Sequence, residues 1–475
     1  MEMPLGSLVG WLWGLAKVGL FALIPLFIVS CFTGHFKRLL VYIYGDFTRN
    51  ERNKFILYGV LFFFIIGIYW LLRSLKGPTF NAFIGSRHTW VADIVSIAVV
   101  FPMIAGYSYL VDLFPRHRLF YAMSVLYSVL FVGLWFLIKN PEFGMAAPLE
   151  HRWKFLGWLS YVIIDSFGSL MVVLFYSFMA DTTTPAEGKK GFFITTTFAQ
   201  IGDIVGSLTV AKISRVIGVE TLYLLAALVT IICIPLMVRF IIWFIPKEEF
   251  IGYKTDIVKK EAPEPGFVEG VRLIFSQPYL MGIFVVVSVF EVVATIFDLQ
   301  FQVLIADYAQ GDASLYAEYT GQFGAYVGAL ALVSILFGVG NLGRKIGLMF
   351  SLMIMPLLMM LNLGIMTISS TLNVAFWVLV LSRGLNYAFG QPAKEQLYIP
   401  TSRDAKYKSK AWIDTFGSRF SKASGSGIMG LKYGLGASMI LVSGLAFSLC
   451  IFWFVAAFYL GRRHKHAIEQ DEIVC

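Results

Sequence analysis

The longest polar stretch inside the chain is PKEEFIGYKTDIVKKEAPEPGFVEG, residues 246–270, and six long apolar segments lie on each side of it. Each segment has about 20 residues, which is the length that a helix needs to cross a hydrocarbon core of about 30 Å. The twelve segments are residues 54–75, 90–112, 119–139, 153–180, 191–211, 220–245, 279–304, 315–340, 346–367, 373–397, 412–432 and 436–461. Because isolated strands and loops cannot satisfy their backbone groups in lipid, the sequence predicts an all-α polytopic membrane protein.

The division into six and six segments is the layout of major-facilitator-like carriers, in which the substrate binds between two six-helix bundles near the midplane. We therefore predict bundles at residues 54–245 and 279–461, joined by a cytoplasmic linker at 246–278 and followed by a tail at 462–475. Residues 1–53 hold a further apolar segment and a basic amphipathic stretch, which we expect to form an extra anchoring helix and an interfacial piece. Cleavage of this anchor is an open alternative.

The composition is that of a membrane protein. Of the 475 residues, 58% are hydrophobic and 14% are charged, whereas soluble proteins carry about 25% charged residues. The net charge of +9 comes mostly from loop lysines and arginines, as the positive-inside rule expects, and it can also attract an anionic substrate. We therefore predict contact with a lipid bilayer and no binding of nucleic acid.

Basic residues on alternate loops indicate the orientation. The basic residues at 116–118, in the central linker and at 462–465 fall on one side of the membrane, whereas the opposite loops 305–314 and 368–372 contain no lysine or arginine. Positively charged loops stay in the cytoplasm. The linker and the C-terminus are therefore predicted to be cytoplasmic.

Two carboxylates lie in the middle of apolar segments, Asp165 in YVIIDSFGSL and Glu291 in VVVSVFEVVATIFDLQ. Each has about two helical turns without charge on both sides, so neither reaches water easily outside a cavity. Ionisable groups at such positions are costly and usually face a cavity or an ionic partner. We expect both carboxylates to bind substrate or to form ion pairs.

Other ionisable residues of the predicted spans allow two interpretations each. Arg73 and Lys76, at the end of the first span, either contact substrate or extend to the outer interface, and the adjacent Lys394 and Glu395 allow the same choice at the inner interface. Arg383 either pairs with a buried carboxylate or lines the cavity. Asp203 lies beside glycines and serves either helix packing or transport.

Sequence signals for an enzyme are missing. The chain has no phosphate loop of the G-x-x-x-x-G-K-[ST] type and no zinc-protease helix motif. Its four cysteines have neither metal-ligand spacing nor a disulfide pattern. The sequence therefore predicts a carrier with no metal and no other cofactor.

Residues 386–426, NYAFGQPAKEQLYIPTSRDAKYKSKAWIDTFGSRFSKASGS, resemble the signature of the non-mitochondrial ATP/ADP translocases of plastids and intracellular bacteria. YWLLRSLKGPTF and VIIDSFGSL are similar to segments in the first and fourth spans of that family. The resemblance covers roughly residues 52–461. It implies a twelve-helix carrier that exchanges nucleotides across a membrane.

The same resemblance implies which charged residues bind the substrate. The transport residues of the family fall on Lys76, Asp165, Glu291 and Lys394, and Lys408 and Lys410 also match lysines of the family. The chain departs from the pattern at Asp165, where the family has glutamate, and after Lys76, where glycine replaces an aspartate.

These observations predict a monomeric ATP/ADP exchanger of a bacterial inner membrane, with a plastid-type inner membrane as the alternative. Lys76 and Lys394 are expected to contact the phosphates, assisted by Arg73, and Glu395 is expected to be the counterion of Lys394. Asp165 and Glu291 are expected to pair with cations in the empty carrier or to bind protons. A proton-coupled importer of nucleotides or another organic anion, and a non-transporting receptor or scaffold, are the alternative functions.

Overall fold

The structure is a computed structural model that describes residues 48–114, 116–183, 185–245, 267–336, 347–402, 409–410, 412–470 and 472–474. The predicted anchor at residues 8–32, most of the linker and Lys408 lie outside the described residues.

Helices make up nearly all of the described chain. In chain order they are α1 (Arg49–Phe83), α2 (Thr89–Leu113), α3 (Arg116–Lys139), α4 (Phe155–Asp181), α5 (Pro185–Ile217), α6 (Val219–Phe244), α7 (Pro278–Ala309), α8 (Ala313–Leu336), α9 (Leu348–Ile368), α10 (Leu372–Leu385, Asn386–Gly390 and Gln391–Leu397), α11 (Ile413–Gly417 and Ser418–Tyr433) and α12 (Met439–Glu469). A short helix, Phe267–Ser276, precedes α7. No strand occurs among the described residues.

Ten of the described helices are long and apolar enough to cross a membrane. The other two, α10 and α11, each contain a π-helical turn, Asn386–Gly390 in α10 and Ile413–Gly417 in α11. In α10 the turn comes just before Pro392, whose ring would collide with the carbonyl four residues earlier in a regular α-helix. Turns of this kind frequently mark functional sites, and both helices line the central cavity described below.

Two sets of helices repeat one packing pattern. In the first half, α1 packs on α4, α5 and α6, while α3 packs on α6 and α2 on α4. In the second half, α7 packs on α10, α11 and α12, while α9 packs on α12 and α8 on α10. Each helix therefore has the same neighbours as the helix six places later, and each half has its own apolar core.

The two halves meet through α5 with α8, α1 with α8, and α2 with α11. Several of these contacts lie toward the end of the bundle that carries the α1–α2, α7–α8 and α11–α12 connections, which we call the closed end. The polar contacts there join Thr320 to Ser74, Ser86 to Tyr316, Ser426 to Asp93, and Arg215 to Glu318. We call the opposite end, near helix Phe267–Ser276, the linker end.

Helix α1 extends eight residues beyond its predicted end at residue 75, so Lys76 lies two turns inside the helix. Pro78 is part of this extension and has no N–H for the carbonyl of Ser74, four residues earlier. Thr320 of the second half donates to that carbonyl instead, with an Oγ1–O distance of 2.7 Å. The proline thus leaves an acceptor on α1 that contributes to the contact between the halves.

Gly321 allows close approach of α5 and α8 at the closed end. A Cβ atom on Gly321 would lie 2.6 Å from both the Ser207 carbonyl oxygen and the Ala211 nitrogen, so the helices must part to accept it. We expect Gly321→Ala to destabilise the protein by about 1–3 kcal/mol, measured as a lower melting temperature in detergent. Gly364→Ala on α9 is the matched control, since no atom lies within 4 Å of its added Cβ. Equal melting temperatures for the two variants would contradict this contact.

Candidate functional site

A cavity of about 370 Å³ lies between the two halves, within the usual range of about 300–1,000 Å³ for ligand sites. Side chains from α1, α2, α4, α7, α8, α10 and α11 line it. Its charged lining consists of five cations and four carboxylates: Arg73, Lys76, Arg383, Arg419, Lys422, Asp93, Asp165, Asp298 and Asp414. A cavity with this lining can hold an anion of several charges.

In the first half, Lys76 of α1 pairs with Asp165 of α4. The Lys76 Nζ to Asp165 Oδ1 distance is 2.9 Å, and the Ser96 hydroxyl donates to Asp165 Oδ2 at 2.6 Å. The Lys76 ammonium also lies 4.0 Å from the centre of the Tyr161 ring. Lys76 therefore does not extend to the interface, and the buried carboxylate already has a cationic partner.

In the second half, Arg383 of α10 contacts two carboxylates of α7. Its Nη1 lies 3.5 Å from Glu291 Oε2, and its Nη2 bonds to Asp298. The two carboxylates are seven residues apart, which is two helical turns, so both project from one face of α7. Arg383 thus combines the two predicted alternatives, because it pairs with a buried carboxylate and also lines the cavity.

Toward the linker end, the adjacent Lys394 and Glu395 have different partners. Lys394 Nζ lies 2.9 Å from Asp414 Oδ1, and Glu395 Oε2 lies 2.5 Å from Lys410 Nζ. The prediction that Glu395 is the counterion of Lys394 is therefore wrong. Lys394 lines a small neighbouring pocket together with Glu291, and its partner Asp414 lines the large cavity.

Three cavity cations have no close carboxylate partner within the part of the chain that the structure describes. Arg73 contacts two aromatic residues. Its guanidinium donates to the Tyr69 hydroxyl at 3.2 Å and lies 4.8 Å from the centre of the Trp70 ring. Arg419 donates to the Ser169 hydroxyl at 2.8 Å. The third, Lys422, approaches Glu291 only to 3.9 Å. These three side chains can donate hydrogen bonds to phosphate oxygens without first losing a tight ion pair.

Asp203 does not line the cavity. It is 2% exposed, at the interface of α5 and α8, where the Ser207 hydroxyl donates to its Oδ1 at 3.2 Å and Gly328 lies against its Oδ2. Of the two interpretations of Asp203, this position favours helix packing.

Five charged residues of the cavity were not predicted as site residues: Asp93, Asp298, Asp414, Arg419 and Lys422. Asp298 follows Glu291 by two turns, so helical periodicity could have placed it on the same face. Two of the three charged residues of α11, Asp414 and Lys422, share a helical stripe with Ser418, since these positions recur every four residues and all line the cavity, and Arg419 is adjacent to this stripe in the sequence. Asp93 bonds to Tyr161 and Ser426, and no short-range pattern indicates these partners.

The fold is similar to that of solved transporters of the major-facilitator type. One is a bacterial homologue of the iron transporter ferroportin in an inward-facing state, with a TM-score of 0.57, 15% identity, and coverage of 86% of this chain and 99% of the other. Another is a bacterial homologue of the human lysosomal transporter Spinster, inward-facing and unoccupied, with a TM-score of 0.53, 14% identity, and coverage of 90% and 99%. The predicted all-α, major-facilitator-like fold is confirmed, and the protein is a multi-pass membrane protein.

A sequence model of the TLC ATP/ADP transporter family matches residues 134–464. The chain belongs to this family, which confirms the resemblance found in residues 386–426. Among its relatives, ADP,ATP carrier protein 1 of Rickettsia prowazekii is 22% identical over 89% of this chain and 96% of its own length. The chloroplastic ADP,ATP carrier protein 2 of Arabidopsis thaliana is 23% identical over 89% of this chain and 76% of its own length.

Proposed function

We propose that the protein exchanges ATP for ADP across a membrane by alternating access, without changing the nucleotide chemically. The observation that carries this proposal is the group of three cavity cations without a close carboxylate partner, Arg73, Arg419 and Lys422. A polyphosphate needs several cations in one cavity, and guanidinium groups bind phosphate with two parallel hydrogen bonds. The names of the relatives, ADP,ATP carrier proteins, supply the substrates.

The internal ion pairs suit a site that must release what it binds. In the structure, Asp165 pairs with Lys76, and Glu291 and Asp298 pair with Arg383. An entering phosphate competes with these carboxylates for the cations, and the pairs form again when the phosphate leaves. This competition lowers the net affinity, which allows release. Lys76 and Lys394 remain predicted phosphate contacts, but each must first leave its present partner.

Alternating access requires the two halves to rock around the cavity. We propose residues 54–245 and 279–461 as the two moving bodies, with the closed-end contacts breaking when the cavity opens on that side. We also propose that the membrane is a bacterial inner membrane and that the linker end and the C-terminus face the cytoplasm. The closed end would then be the outer end, as in the inward-facing transporters of similar fold.

The direct test is uptake of labelled ATP into proteoliposomes that hold ADP or are empty. We expect uptake only with internal ADP, and the nucleotide should be recovered unchanged. Uptake into empty vesicles that an uncoupler abolishes would instead support the proton-coupled importer. Absence of uptake in both vesicles would support the receptor or scaffold and refute the proposal.

The three cations without a close partner should dominate the affinity for ATP. We expect Arg73→Gln, Arg419→Gln and Lys422→Gln each to raise KM by about tenfold or more, because each loses a charged hydrogen bond to phosphate. Initial rates of exchange at varied ATP measure the effect. The control is Lys212→Ala, which removes an exposed lysine of α5 that does not line the cavity. Unchanged KM values in all three variants would place the phosphates elsewhere, with Lys394 as the first alternative.

A further inference from the structure

Gln302 of α7 is an uncharged polar residue of the cavity lining. Its Oε1 is buried and has no hydrogen-bond partner within the described residues. Buried polar atoms in proteins are nearly always paired, so an unpaired one in a binding cavity calls for an explanation. A ligand that offers a donor to this oxygen would satisfy it.

The position of Gln302 on α7 separates it from Lys422, one of the proposed phosphate-binding cations. It lies one turn beyond Asp298 and eleven residues beyond Glu291, which corresponds to about 16 Å along the helix axis. Lys422 lies 3.9 Å from Glu291, so it is close to the part of α7 that is about 16 Å from Gln302. Gln302 therefore belongs to the closed-end part of the cavity, and an extended nucleotide can span the interval.

The surroundings of Gln302 are aromatic. Trp70, Phe301 and Phe323 line the same cavity, and the ring centres of Phe301 and Phe323 are 5.6 Å apart. The nearby hydroxyl of Thr320 already donates to Ser74. This part of the cavity thus combines aromatic rings with an amide oxygen that has no partner within the described residues, and a nucleobase binds through stacking and hydrogen bonding.

We propose that Gln302 recognises the base of the transported nucleotide and selects adenine. This inference rests on the proposed nucleotide exchange. A glutamine amide presents a donor and an acceptor side by side, which matches the N6 amine and the N7 of adenine in a bidentate pair. The base then stacks among Trp70 and Phe323, while the phosphates extend past Arg73, which lies beside Trp70, toward Arg419 and Lys422.

Two substitutions of similar size separate this role from simple packing. Gln302→Met fills the same space without polar atoms, so it should remove base selection and leave the phosphate contacts in place. Gln302→Glu keeps the acceptor but loses the donor. Its carboxylate can accept from both the N1–H and the N2 amine of guanine, so this variant should prefer GTP to ATP.

The experiment measures uptake of labelled ATP into ADP-loaded proteoliposomes with unlabelled ATP, GTP, CTP or UTP as competitors. We expect the wild type to favour ATP over GTP by about tenfold or more, the usual discrimination of one bidentate pair. In Gln302→Met this ratio should fall to near one, and in Gln302→Glu it should reverse. The matched control is Gln300→Ala on the same helix, because Gln300 bonds to Lys432 and Tyr433 and does not line the cavity. Its ratio should equal that of the wild type.

Different failures are distinguishable in this experiment. A wild type that takes up no nucleotide refutes both the exchange and this inference. A wild type that exchanges ATP but treats all four bases alike refutes the role of Gln302 alone. The same holds if Gln302→Met and Gln302→Glu both keep the wild-type ratio. Should Gln302→Met fail to reach the membrane, the reversal in Gln302→Glu decides the question.

Discussion

Replacement of Lys76 by alanine should reduce ATP/ADP exchange at least about a hundredfold. The substitution removes a predicted phosphate contact and leaves Asp165 with the Ser96 hydroxyl but without its cation. Both partners of the pair are largely buried, with 18% and 27% of their side chains exposed. Breaking such a pair costs about 3–5 kcal/mol. Exchange in ADP-loaded proteoliposomes, corrected for the amount of folded carrier, measures the effect.

A double variant separates the contribution of Lys76 to stability from its contribution to transport. Lys76→Met combined with Asp165→Asn removes both charges at similar volume, a change that is often neutral or stabilising for a buried pair. We expect this variant to recover the abundance and the melting temperature of the wild type but not its exchange activity. Lys212→Ala on α5, where the lysine is exposed, should retain both properties.

The outcome of the double variant decides between two roles for the pair. Wild-type exchange by the charge-free carrier would show that Lys76 and Asp165 only hold α1 against α4. The predicted phosphate contact at Lys76 would then be wrong, while the cations without a close partner, Arg73, Arg419 and Lys422, would remain candidates. Exchange lost despite normal stability would support a direct role for the pair.

The architecture could be predicted from the sequence because membrane crossing depends mainly on length and apolarity. A run of about 20 apolar residues has one main solution in lipid, and the linker after residue 245 divides the runs evenly. The need of Asp165 for a cavity or an ionic partner could be predicted for the same reason, although the sequence did not show that this partner is Lys76. A charge with about two uncharged turns on each side must find a partner or a cavity.

The partners of Lys394 and Glu395 could not be predicted from the sequence in this way. Adjacent residues of a helix do not face each other, so these two side chains point to different neighbours, Asp414 and Lys410. Lys410 precedes α11 and Asp414 lies in the first turn of α11, so the position of both neighbours depends on how α10 and α11 pack. Sequence adjacency suggested an internal pair that helical geometry does not allow.

The first span was predicted to end at residue 75, eight residues before the end of α1. Gly77 and Pro78 resemble a helix terminus in the sequence. The helix continues to Phe83, since the carbonyl that Pro78 leaves free is bonded by Thr320 of the other half. A contact with a residue 246 positions away in the chain overrides the local signal. The consequence for the site is that Lys76 lies within the bundle, beside Asp165.

Replacement of Arg383 by glutamine should have the second large effect, mainly on stability. Arg383 bonds to Asp298 and lies 3.5 Å from Glu291, and each of the three side chains is less than 20% exposed. Its loss leaves two buried carboxylates of α7 without their closest cation, and Lys422 lies 3.9 Å from Glu291. Uncompensated buried charge costs about 3–5 kcal/mol. We expect a sharply lower melting temperature in detergent and little exchange.

Arg383→Lys tests whether the forked geometry of arginine matters in addition to its charge. A lysine ammonium is a single point charge and cannot bond both carboxylates as a planar guanidinium does. We expect this variant to fold but to exchange ATP about tenfold more slowly, because either Glu291 or Asp298 loses its partner. Arg239→Gln, at an exposed position of α6, is the control and should match the wild type. Arg383→Gln could instead have the melting temperature and the exchange rate of this control. Apolar packing would then hold α10 against α7, and the pairing of Arg383 with Glu291 and Asp298 would have no part in the transport cycle.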